Sequence, residues 1–227
     1  MISDLKNAGH EIVLVSSGAI GMGMGKLNLS ARPSDMPTKQ AAAAVGQCEL
    51  MYTYDKLFSE YNHTVAQILI TGDDIENDER RFHFINTMER LIELGALPVI
   101  NENDTVATSE IAVGDNDTLA AIVAVNVGAQ LLILLTDIDG LYSADPKKDS
   151  AAELIPVVEK IDDAIRSHSG GTGSSLGTGG MATKIHAAEI CMQRGVDMII
   201  ANGSSPSILY DLMDGNGRCT YFKGVKA

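Results

Sequence analysis

Five short runs rich in leucine and β-branched residues constrain this chain more than any other feature: Glu11 to Ser16, Val65 to Ile70, Ala96 to Asn101, Gln130 to Thr136 and Val196 to Ala201. Each is nearly continuously apolar, the pattern of a strand buried on both faces. Between them lie segments with helical spacing, over Lys39 to Tyr61, Arg80 to Leu94, Asp117 to Val127, Met181 to Arg194 and Pro206 to Met213. Strands joined by helix-length crossovers run parallel, with helices covering both faces of the sheet. The predicted fold class is therefore α/β, an open three-layer α/β/α sandwich around a mostly parallel central sheet.

Ligands of such sheets collect beyond the carboxyl ends of the strands. Polar turns stand there after three of the runs: Ser16-Ser17-Gly18-Ala19, Asn101-Glu102-Asn103-Asp104 and Thr136-Asp137-Ile138-Asp139-Gly140. Three on one edge point to a shared cleft. The Met-rich stretch Gly21 to Gly25 reads as a flexible turn or close-packed loop without chemistry of its own. The glycine-rich stretch Ser167 to Gly180 is either a linker or a ligand loop. It runs directly into the helical pattern starting at Met181, so its glycines deliver N–H groups at a helix N-terminus, an arrangement that binds phosphate. The spacing fits neither a Walker A loop nor G-x-G-x-x-G. Lys184, one turn into that helix, reaches back over a bound polyphosphate.

Residues 101 to 117 hold five carboxylates, Glu102, Asp104, Glu110, Asp115 and Asp117, and three amides, Asn101, Asn103 and Asn116. So much like charge calls for a cation, either a metal or an amine. The Asp-x-Asn-x-Asp-Gly spacing of a calcium loop is absent, as is any Gly-x-Ser-x-Gly elbow, and the five histidines do not cluster.

Lys and Arg number 17 against 30 Asp and Glu, a net charge of −13, with no basic stripe. That excludes simple nucleic-acid binders, so no nucleic-acid partner is expected. The longest apolar run, near Leu131 to Leu135, is far short of a membrane span, and no secretory signal opens the chain. No membrane partner and a cytoplasmic location are expected. Cys48, Cys191 and Cys219 lack metal or redox spacing and read as buried, reduced thiols.

Taken together, Ser16-Ser17-Gly18-Ala19-Ile20, Lys39-Gln40 with Ala43-Ala44-Val45-Gly46-Gln47, Asn101-Glu102-Asn103-Asp104, Gly114-Asp115-Asn116-Asp117, Leu135-Thr136-Asp137 and Gly177-Thr178-Gly179-Gly180-Met181-Ala182-Thr183-Lys184 resemble the glutamate 5-kinase family in order and spacing. The resemblance runs over nearly the whole chain. It implies the amino-acid kinase fold and phosphoryl transfer from ATP, with Mg²⁺, to the side-chain carboxylate of L-glutamate in proline biosynthesis. It further implies that Thr136, Asp137, Thr178, Gly179, Gly180, Met181, Ala182, Thr183 and Lys184 hold ATP. Ser17, Asp104 and Asn116 hold glutamate, with Asn101 a neighbour and Asp104 on the substrate ammonium. Lys184 and Asp117 are the catalytic pair, Asp117 orienting the lysine, and Asp115 helps through Mg²⁺. Feedback by proline and a homo-oligomer, dimer or tetramer, follow from the same resemblance. A carboxylate acceptor, with a reference pKa of about 4.3, is ionised at neutral pH and needs no catalytic base.

The family begins with a strand ending in a Lys-x-Gly-Ser/Thr turn, which has no counterpart in these 227 residues, nor does the RNA-modification-type domain that some members append. The expectation is thus a single amino-acid kinase domain over 1–227, N-terminally incomplete and lacking its first strand. Two rivals remain: a catalytically impaired ATP- or amino-acid-binding fragment of such a kinase, and a relative acting on acetylglutamate, aspartate, carbamate or UMP.

Overall fold

The computed structural model describes residues 1–108, 113–146, 148–167 and 180–225. Their contacts divide into two compact units, one of residues 2–116 and one of residues 117–227 with Met1.

The first unit contains α1 (Ile2–Asn7), β1 (Leu14–Val15), α2 (Ala19–Lys26), α3 (Met36–Ser59), β2 (Val65–Ile70), α4 (Gly72–Glu76), α5 (Asp78–Glu93) and β3 (Leu97–Glu102). Its sheet has the order β1-β3-β2 and is parallel throughout. β3 is the central strand and every one of its residues is buried. Of the strand expected over Glu11 to Ser16 only Leu14 and Val15 pair, opposite Val99 and Ile100. α3 begins one turn earlier than the apolar spacing indicates. Asp35 caps it by accepting the Thr38 N–H at 2.9 Å, and Pro37 sits in the first turn where its missing N–H costs nothing.

The stretch Gly21 to Gly25 is a helix, not a turn or loop. Glycine costs about 1 kcal/mol per residue inside a helix, so packing must supply what propensity withholds. α2 lies against α3 with backbones in near contact. A Cβ on Gly23 would stand 1.8 Å from the Ala42 carbonyl oxygen, and one on Gly46 would stand 1.7 Å from that of Ala19. Around Gly21, by contrast, nothing lies within 4 Å of a built Cβ. The same substitution therefore has opposite signs at two sites. Gly46→Ala will destabilise the chain by roughly 3 kcal/mol or more, and Gly21→Ala will stabilise it by about 0.5–1 kcal/mol. Urea midpoints of the two variants check this; equal shifts would contradict the helix contact.

The second unit contains most of α6 (Asn116–Asn126), with β4 (Leu131–Thr136), β5 (Val157–Val158), α7 (Asp163–Ser167), α8 (Met181–Gln193), β6 (Asp197–Asn202), α9 (Ile208–Met213) and β7 (Cys219–Phe222). Its sheet has the order β4-β6-β7-β5. β4 and β6 run parallel, as do β5 and β7, while β7 is antiparallel to β6. β5 and β7 escape sequence reading because two and four residues carry too little pattern. β7 is held by Thr220, fully buried, whose hydroxyl receives the Leu141 N–H at 2.8 Å and donates to the Ile155 carbonyl at 2.7 Å.

α8 buries Lys184, Ile185, Ala187, Ala188, Cys191 and Met192, an i, i+1, i+3, i+4, i+7, i+8 stripe. Lys184 heads that stripe, which is why it points inward. Of the three cysteines only Cys191 is buried, and burial pushes its thiol up to about 12. Cys48 is exposed on α3 and Cys219 half-buried, against the expectation of buried thiols, because each falls off the apolar face of its element. Among the described residues no helix is long and apolar enough to cross a membrane.

Candidate active site

In the second unit α8 starts at Gly180, whose backbone is extended (φ −77°, ψ 179°) and which offers no side-chain cap. Lys184 Nζ lies 2.9 Å from Asp117 Oδ2, with both side chains largely buried (8% and 18% exposed). Thr183 Oγ1 is 2.8 Å from the same carboxylate oxygen and 2.7 Å from the Gly180 carbonyl. Asp117 lies in the first turn of α6, where an anionic group suits the helix dipole. The aspartate thus orients a lysine close to the open end of α8. A fixed cation beside the backbone donors of a helix's first turn is what a polyphosphate requires. Met181 and Ala182 form the first turn of that helix; Thr178 and Gly179 lie outside the described residues.

Thr136 closes β4 opposite Asn202 on β6, and Thr136 Oγ1 donates to Asp137 Oδ1 at 3.3 Å. Behind them stands a network that sequence reasoning missed. Asp139 accepts from Asn202 Nδ2 at 3.0 Å and from the Tyr142 hydroxyl at 3.0 Å, and pairs with Arg218 Nε at 2.9 Å. These partners, the Asn202 amide first, hold the Asp139 carboxyl below the usual aspartate range. The only local signal was a second aspartate two positions after Asp137.

The acceptor-side residues belong to the first unit. Gly18 takes φ +96°, a left-handed conformation suited to glycine, and starts α2 directly after exposed Ser17. The neighbouring carbonyl of Ser16 receives Asn116 Nδ2–H at 2.5 Å, and the Ser16 hydroxyl is 2.8 Å from that of Tyr54. Ser17 and Asn116 are therefore brought to one turn. Asp104 lines a cavity with Ala19, two residues after Ser17, and with Gln47, Glu102 and Asn103. Burial raises its carboxyl above the ordinary aspartate value, and it has no hydrogen-bond or ion-pair partner among the described residues. Glu102 is also raised by burial, partly offset by the Val113 N–H it accepts at 2.6 Å.

Asn101 is 3% exposed and does not line that cavity. Its amide is spent on the Glu102 N–H, accepted at 2.9 Å, and on Gln47 Oε1, to which Nδ2 donates at 2.9 Å. Gln47 is the residue of this region whose role sequence reasoning did not assign. Its signal is a polar residue on the buried face of α3, beside Ala42, Ala43, Gly46 and Leu50. Among the described residues no three His, Cys, Asp or Glu side chains converge to hold a metal ion.

Residues 1–202 match the model of the amino acid kinase family. The chain is 52% identical over 223 residues to the glutamate 5-kinase of Clostridium tetani (strain Massachusetts / E88), covering 98% of this chain and 84% of that protein. It is 47% identical over 230 residues to the glutamate 5-kinase of Clostridium perfringens (strain 13 / Type A), covering 100% and 86%. Among solved structures, a carbamate kinase from Giardia lamblia bound to AMP-PNP superposes with a TM-score of 0.67 at 16% identity, covering 99% of this chain and 87% of that one. That likeness, at such low identity, speaks for the fold alone. The chain belongs to the amino acid kinase family and, within it, stands with the glutamate 5-kinases.

Proposed function

We propose that this protein transfers the γ-phosphoryl group of ATP to the side-chain carboxylate of L-glutamate, giving glutamyl 5-phosphate for proline biosynthesis. The observation that carries the reading is the identity of about half to glutamate 5-kinases over nearly the whole chain. The geometry within each unit supports it. The second unit supplies the nucleotide half: Lys184 held by Asp117 and Thr183, the first turn of α8 from Gly180 to Ala182, and Thr136 with Asp137. The first unit supplies the acceptor half: Ser17 beside the Asn116–Ser16 contact, and the half-buried carboxylate of Asp104 for the substrate ammonium.

In the reaction a carboxylate oxygen of glutamate forms a bond to the γ-phosphorus while the bond from that phosphorus to the β,γ-bridging oxygen breaks. The electron pair leaves with ADP. No proton has to move, so a general base is not required. Catalysis is then alignment and charge compensation. Lys184 meets the charge on the transferred group, and Asp117 fixes where its ammonium stands. Mg²⁺ bound with ATP would neutralise part of the phosphate charge, and Asp115 is the carboxylate that would help hold it. The same reading carries feedback by proline, homo-oligomeric assembly and a cytoplasmic location.

Glutamate-dependent hydroxamate formation with Mg·ATP and hydroxylamine tests the proposal, since hydroxylamine traps an acyl phosphate. The expected result is γ-glutamyl hydroxamate with one ADP released per hydroxamate. ATP consumption that responds to carbamate or UMP and not to glutamate would overturn it.

A further inference from the structure

The cavity around Asp104 contains a hydrogen-bond donor that the fold leaves open. Gln47, 8% exposed, belongs to α3 and lines this small cavity of about 10 Å³ together with Ala19, Glu102, Asn103 and Asp104. Its Nε2 is buried and has no partner among the described residues. A backbone group fixes which end of the amide is open. The Glu102 N–H cannot exchange donor for acceptor, so Asn101 must present Oδ1 to it (2.9 Å). Asn101 therefore turns Nδ2 to Gln47, which must answer with Oε1 (2.9 Å). Nε2 is left as the free end, and a buried amide donor without an acceptor costs about 1–3 kcal/mol. Such a cost, borne on the wall of a cavity, is recovered when a ligand brings an acceptor.

The other polar walls select the kind of ligand. Asp104 and Glu102 present carboxyl groups, so the occupant carries a cation there, while the Gln47 amide asks for an oxygen close by. An ammonium with a carboxylate one carbon away satisfies both, as in any α-amino acid. We infer that Gln47 is a specificity-determining residue of the acceptor site, its free Nε2–H binding the α-carboxylate of the amino acid substrate while Asp104 takes the ammonium. This rests on the glutamate kinase reading above and adds to it the group that tells an amino acid from a simple amine.

4-Aminobutyrate is glutamate without its α-carboxylate; it keeps both the ammonium and the carboxylate that would be phosphorylated. In the hydroxamate assay, Gln47→Met should lower kcat/KM for glutamate about 30-fold, the worth of a hydrogen bond to a charged group. The same variant should leave kcat/KM for 4-aminobutyrate and the KM for ATP within about threefold. Met matches Gln in size but takes the acceptor from Asn101. Gln47→Ala, which leaves room for water beside Asn101, guards against a packing artefact, and thermal melts of both variants report folding. A collapse of the preference for glutamate in either folded variant supports the assignment. Equal losses with both acceptors, or an unchanged preference, overturn it. No hydroxamate from the unaltered chain overturns the functional reading itself and the inference with it.

Discussion

Replacing Lys184 by methionine will lower kcat about a thousandfold while the KM for glutamate stays within about threefold. The ammonium is buried and already positioned by Asp117 at 2.9 Å, so none of its charge is lost to water and no reorganisation precedes the transfer. Such a group acts on the charge of the transferred phosphoryl, not on the resting acceptor. The variant also takes the lysine from the Asp117 carboxylate and leaves it the Thr183 hydroxyl, a charge without its countercharge in a largely buried place. Thermal stability should therefore fall, and Asp117→Asn added to Lys184→Met should restore part of it without restoring kcat. Steady-state kinetics and melting curves on the two single variants and the double variant decide the matter. A kcat within tenfold of the unaltered chain would remove Lys184 from the chemistry, and full additivity of the kcat losses would deny that the pair acts as a unit.

Asp104→Asn will raise the KM for glutamate about 100-fold, change that for ATP little, and raise the melting temperature at pH 7. The two signs have one cause. Burial lifts the Asp104 carboxyl above its ordinary value, so the folded chain binds that proton more tightly than the unfolded chain does. Stability from this group is then present below the ordinary aspartate value and is lost as pH rises through the raised one. At neutral pH the ionised side chain is a cost to the fold, and asparagine removes it. The same shift sets the pH response of binding. Because the ammonium needs the ionised form, the KM for glutamate will climb on acidification from a higher pH than an ordinary aspartate would give. That limb should vanish in Asp104→Asn. Glutarate, which lacks the ammonium, should lose little in the variant; an equal loss for glutarate and glutamate would sink the role assigned to Asp104.

Parts of this site are legible residue by residue. The run Met181 to Arg194 has helical spacing with Lys184 on its apolar stripe, and a lysine there has to be buried and paired. Asp117 and Asp104 stand out because carboxylates crowd residues 101 to 117. Other parts are not legible. The amide of Asn101 reads as a ligand contact beyond a strand, and the structure shows it buried and donating to Gln47, 54 positions away. Asp139 gives no sign that Asn202, 63 positions on, will fix it. Three glycines in eight residues argue against α2, and only the close approach of Gly23 to Ala42 and of Gly46 on α3 to Ala19 makes the helix stand.

The sequence by itself determined the α/β class, the order of the long strands and helices, and the kinds of side chain that meet a nucleotide and an amino acid. Periodicity and turn chemistry are local, set by which faces of a segment can be buried within a few residues. Tertiary structure alone decided the short strands β5 and β7, the shortening of β1 to Leu14 and Val15, the helix through Gly21 to Gly25, and the antiparallel turn of β7 on β6. It also decided which buried polar groups find partners. Lys184 meets Asp117 across 67 positions, while Gln47 Nε2 finds none among the described residues. Pairings of that kind depend on how distant segments pack, and no window of sequence contains both partners.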